Sequence, residues 1–93
     1  APSPEAIAQL QQMMRSVVTS GTARGMQAGG EIHGKTGEAE INQGSHAWFA
    51  GYRDDDIAFA TLVVLGGGSE TAVAITDHMF TTLDGMRAER GLP

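Results

Sequence analysis

Gly34-Lys35-Thr36-Gly37-Glu38-Ala39-Glu40, followed after a short break by His46-Ala47-Trp48-Phe49-Ala50-Gly51-Tyr52, is the stretch on which the reading of this chain turns. Gly29, Gly34, Lys35 and Thr36 satisfy the G-x-x-x-x-G-K-T spacing of a phosphate loop, which must follow a hydrophobic strand and open a helix. Here Thr22 to Ala28 is not strand-like, and Gly37, Asn42 and Gly44 follow, so a nucleotide-binding module is a remote alternative. The stretch reads instead as a hairpin: a strand over about 31–41, a turn at Asn42, Gln43, Gly44 and Ser45, and a second strand over 46–53.

Working outward, Asp54, Asp55 and Asp56 make a polar turn, and Ile57 to Leu65 is apolar on both alternating faces. That pattern predicts a third strand, over 57–65, covered on both sides in the middle of a layered domain. Upstream, the spacing of Ile7, Leu10, Met13, Met14, Val17 and Val18 predicts a helix over 3–19, with Ser3 as N-cap, Pro4 in the first turn and Gly21 as a left-handed stop. The glycine-rich stretch 21–30 is then a connecting loop. Downstream of Gly66, Gly67 and Gly68, Ser69 can cap a helix over 69–89 whose apolar stripe is Ala72, Ile75, Met79, Leu83 and Met86. Gly85 within it costs up to about 1 kcal/mol relative to alanine. Met13, Met14, Met79 and Met86 are expected in the core, and Trp48 and Phe49 on opposite faces of their strand. Two helices on one face of three strands leave the other face wet, so the patterning asks for a partner: the chain reads as a fragment or an obligate subunit.

The chain of 93 residues, 41% apolar and 18% charged, suits one small globular domain. Its formal charge of −5, with scattered basic residues, argues against nucleic acid or an anionic membrane surface as partner. Cysteine is absent, which removes disulfides and thiolate metal sites. His33, His46 and His78 have no ligand spacing, and Asp54 to Asp56 lack the glycine and distal glutamate of a calcium loop. No metal and no cofactor is expected. No apolar run approaches the roughly 20 residues that span a bilayer, and residues 1–15 hold no signal-type sequence, so any anchor is expected outside these residues.

Gly34 to Glu40 resembles the GKTGTAE strand motif of penicillin-binding transpeptidases, and His46 to Tyr52 resembles the strand that pairs with it. Val17-Val18-Thr19-Ser20-Gly21-Thr22-Ala23 resembles the segment those enzymes carry upstream, so the likeness runs from about Gln11 to Met79. A bare KTG is a weak signal; KTG joined to HAWF at this distance is specific. It points to the peptidoglycan-building enzymes more than to β-lactamases, which share the K-T-G element.

The resemblance implies an α/β fold, an antiparallel sheet flanked by helices as in serine β-lactamases and transpeptidases. Residues 1–93 would be the C-terminal helix-strand-strand-strand-helix portion of one such domain. It further implies a D,D-transpeptidase on the extracytoplasmic face of the bacterial membrane, cross-linking peptidoglycan stem peptides through a serine acyl-enzyme and acylated by β-lactams. Lys35 would place charge beside the second-motif serine and the substrate carboxylate. Thr36 would hydrogen-bond that carboxylate, Gly37 would let the substrate lie along the strand, and the Glu38 backbone N–H would be half of the oxyanion hole. Glu38 departs from the usual threonine; its carboxylate is expected to turn out of the pocket to a basic partner. None of Ser3, Ser16, Ser20, Ser45 or Ser69 begins S-x-x-K or S-x-N. Activity is therefore expected only with the N-terminal segment of the same domain, in the same chain or a separate one. A β-lactam sensor or non-catalytic binding domain on this fold is the alternative.

Overall fold

The structure, a computed structural model, describes residues 2–93. Helix α1, Pro4–Thr19, begins because the Ser3 hydroxyl accepts from the Ala6 amide at 3.1 Å and Pro4 needs no amide partner. It ends without a left-handed glycine: the Ser20 and Gly21 amides both donate to the Ser16 carbonyl at 2.9 Å. Gly21 serves close approach instead, since a β-carbon there would lie 3.0 Å from the Val17 Cα. The following loop is pinned to the second helix by Asp77, whose carboxylate accepts from the amides of Gln27 at 3.0 Å and Ala28 at 2.8 Å.

Three antiparallel strands follow, β1 Ile32–Ile41, β2 Gly44–Arg53 and β3 Ile57–Val63, in the order β1-β2-β3. Ile41 pairs with Gly44 across Asn42 and Gln43, so β2 starts two residues before the sequence suggests. β3 stops at Val63 because Leu65 adopts φ 55, and its amide donates to His46 Nδ1 at 3.1 Å. Helix α2, Ser69–Glu89, closes the chain; the order of elements is the expected one.

Both helices lie against one face of the sheet. Ile32 and Phe49 on that face form the core with Ala23, Ala72, Val73 and Phe80, and Val17 and Val18 of α1 pack against it. Phe59 bridges sheet and helix, 5.0 Å from the Phe49 ring and edge-on to Phe80 at 5.5 Å. The helix turns Ser69, Ala72, Val73, Thr76 and Phe80 inward, not the expected stripe, leaving Ile75, Met79 and Met86 exposed. Thr76 can be buried because its hydroxyl shares a 2.6 Å hydrogen bond with Thr61 and donates to the Ala72 carbonyl at 2.8 Å. Met13 is likewise exposed, so three of the four methionines assigned to the core lie outside it.

Among the described residues β3 has β2 as its neighbour and is covered on one face by the helices. Ala58, Ala60 and Leu62 face outward, Leu62 being 64% exposed. The open face foreseen from the strand and helix count is present.

At the far end of the sheet, buried Arg53 ties the β2–β3 turn to α2. Its guanidinium donates to both oxygens of Asp84 at 2.7 and 2.9 Å and to both oxygens of Asp55 at 2.9 and 2.8 Å. It also sits 4.5 Å above the Phe80 ring.

Candidate active-site strand

In an antiparallel ladder only alternate residues bond to the neighbour, and the others turn N–H and C=O the opposite way. The Asp54 amide donates to the Glu31 carbonyl at 3.1 Å, so with Ile32 opposite Arg53 the odd-numbered residues of β1 bond to β2. The even-numbered ones therefore present their backbone at the free edge. Two side chains use carbonyls of that set: Arg15 Nη1 donates to Ile32 O and Lys35 Nζ to Thr36 O, each at 2.7 Å. The amides of Thr36, Glu38 and Glu40 face the same open edge.

Side chains alternate across the sheet. Lys35 and Gly37 belong to the open face, and Thr36 and Glu38 to the helix face, so Lys35 and Thr36 flank the edge at which the Glu38 amide emerges. Gly37 has a packing reason to be glycine: a β-carbon there would overlap the indole of Trp48, its β2 partner. Trp48 thus forms a floor on the open face, 39% exposed, whereas Phe49 goes into the core. Gly34 similarly makes room for the Phe49 ring.

The Glu38 side chain does leave the edge, but its partner is not basic. One carboxylate oxygen accepts from the Ser69 amide at 2.7 Å. Ser69 is the first residue of α2 and not its cap; the cap position is Gly68, which has no side chain to offer. A carboxylate at a helix N-terminus satisfies an unpaired amide and sits at the positive end of the helix dipole. Sequence reasoning missed this tie, since Glu38 and Ser69 meet only through the tertiary fold.

His33 stacks on Tyr52 with ring centroids 4.6 Å apart, and His33 Nδ1 and the Tyr52 hydroxyl are buried without partners. His46 is engaged with Leu65, and His78 is exposed on α2. Among the described residues no group of three His, Asp or Glu side chains could hold a metal ion, and no helix is long and apolar enough to cross a membrane. Lys35 and Thr36 lie within β1 and no helix starts there, so the phosphate-loop spacing lacks the geometry that would give it meaning. The acidic turn is structural rather than merely solvated: Asp54 accepts from the Glu31 amide at 3.0 Å, and Asp55 binds Arg53 and Arg87. A hollow lined by Arg53, Asp55, Asp84, Arg87 and Leu92 lies there, with its charges paired to one another.

Residues 2–81 match the family of the penicillin-binding protein transpeptidase domain. The chain belongs to that family, and its helix, three antiparallel strands and helix are those of the α/β transpeptidase fold in its C-terminal portion. Comparison with curated proteins and with solved structures found no match.

Proposed function

We propose that these residues supply the substrate-holding strand of a peptidoglycan D,D-transpeptidase. The observation that carries the reading is the free edge of β1 in a chain of this family: a Glu38 amide turned away from β2, on the edge that Lys35 and Thr36 border from opposite faces. An extended stem peptide can add to such an edge through main-chain hydrogen bonds. Lys35 and Thr36 would meet its terminal carboxylate. The Glu38 amide would then receive the oxygen of the penultimate D-Ala carbonyl as it becomes an oxyanion, a donor worth on the order of 100-fold in rate.

The nucleophile belongs to a segment bearing S-x-x-K and S-x-N, neither of which occurs in this chain. That serine's Oγ bonds to the carbonyl carbon, the terminal D-Ala leaves with the serine proton, and an amine of a second stem peptide displaces the serine. A β-lactam would acylate the same serine with no leaving group departing. The partner segment is the N-terminal part of the same domain, and the work takes place outside the cytoplasmic membrane with any anchor elsewhere.

The test is denaturing mass spectrometry of the chain together with the nucleophile-bearing segment after incubation with a penicillin. The drug's mass is expected on a serine of that segment, and Lys35→Ala should slow its appearance by at least about tenfold. Drug mass on the 93 residues themselves, or none anywhere, would overturn the reading.

A further inference from the structure

We propose that Glu38 is a positioning residue: its carboxylate, held on the Ser69 amide, moors the edge strand to α2 and so fixes the backbone amide that faces the substrate. This rests on the transpeptidase reading of the strand. Residue 38 carries two functions in opposite directions, because its amide points to the free edge while its side chain points across the helix face. The mooring is needed at this place. Beyond Gly37 the strand runs exposed through Glu38, Ala39 and Glu40 to Ile41, with β2 on one side only. Among the described residues Ile32 is the one β1 side chain in the buried core, and every residue of the strand from Glu38 onward is exposed.

The other end of the tie is fitted to receive it. Gly68 at the cap position of α2 has an extended backbone, φ −87 and ψ −179, and leaves the Ser69 amide free for a donor-seeking group from outside. A β-carbon at Gly68 would stand 2.9 Å from the Glu38 Oε1 and overlap the Glu70 carboxylate, so the bare glycine keeps the approach open. Glu38 therefore does for α2 what a cap residue does within most helices, with the consequence that helix and substrate strand are joined. A further consequence concerns recognition: with its side chain committed to α2, position 38 offers the substrate carboxylate no group of its own. That task falls to Lys35 and Thr36.

A cap that merely stabilises α2 can be replaced locally, whereas a mooring cannot, and this separates the two roles. Glu38→Ala should lower the thermal midpoint of the full transpeptidase domain and slow penicillin acylation, since misplacing a catalytic group by about 1 Å can cost on the order of 100-fold. Adding Gly68→Ser gives α2 a cap of its own, in a background where the Glu38 carboxylate is gone and the flexible end of the Glu70 side chain has to swing aside. The thermal midpoint should return, while acylation stays at least about tenfold below wild type. Glu38→Gln, which keeps an acceptor for the Ser69 amide, should retain most of the rate. Recovery of acylation together with stability in the double variant would overturn the proposal, as would an unchanged rate in Glu38→Ala.

Hydrogen exchange supplies a reading that does not depend on acylation. The Gly37 and Ala39 amides, which bond to β2, should exchange faster in the double variant while those of α2 stay protected. Unchanged exchange at both would also overturn the mooring. A wild-type domain that penicillin fails to acylate would sink the transpeptidase reading instead, leaving the exchange result to decide the tie.

Discussion

At the scale of single residues, the strand shows how one position can be constrained from two sides. On the proposed function a substrate lies close to the Gly37 backbone, yet the missing β-carbon is already required by the Trp48 indole on the open face. Gly37→Ala should therefore destabilise the fold with no substrate present, by about 1–3 kcal/mol as for other overpacked sites, measured by urea unfolding followed by circular dichroism. Trp48→Val in the same chain should recover part of that loss. If Gly37→Ala unfolded like wild type, the glycine would be needed for ligand approach alone. Lys35, Thr36 and Gly37 stand out in the sequence because they form a motif. The direction of the Glu38 carboxylate is not legible there, because its partner is 31 residues away in sequence.

At the scale of elements, the joint between the β2–β3 turn and α2 is electrostatic and should show in the pH dependence of stability. Arg53 donates hydrogen bonds to Asp55 and holds its carboxyl at about 2, against an ordinary 3.8. Asp84 is lowered too, again chiefly by its hydrogen bonds from Arg53. A lowered carboxyl pKa means the unfolded chain takes up protons first, so the stabilisation is whole above the ordinary value and is lost as the pH falls through about 4 toward 2. The thermal midpoint should drop over that range, and Asp55→Asn with Asp84→Asn should flatten the drop. An equally steep fall in the double variant would show the joint to be incidental. The elements themselves were readable in the sequence because helix and strand periodicities differ. The inward face of α2 was not, since burying Thr76 depends on the hydroxyl of Thr61 from another element.

At the scale of the whole molecule, extents of 48 × 37 × 24 Å leave room in the shortest direction for one sheet and one layer of helices. The open face carries Trp48 and Leu62, and beyond it Val64 and Leu65 are exposed as well. We expect the nucleophile-bearing segment to cover this face. Leu62→Lys should then leave the stability of the 93-residue chain within about 0.5 kcal/mol, as for other exposed sites, while weakening assembly with that segment at least about tenfold, because the charge would be buried there. Analytical ultracentrifugation of the mixed chains reads this directly, and undiminished assembly would place the partner elsewhere.

The sequence by itself determined the family, the order of helix, three strands and helix, and the open face that two helices leave on the sheet, because motif and periodicity are properties of neighbouring residues. Only the tertiary structure decided that β2 lies between β1 and β3, that Trp48 occupies the space above Gly37, and that Glu38 reaches Ser69. Those facts depend on strand order, register and the seat of α2 on the sheet. Each brings together atoms far apart in the chain, where local spacing carries no information.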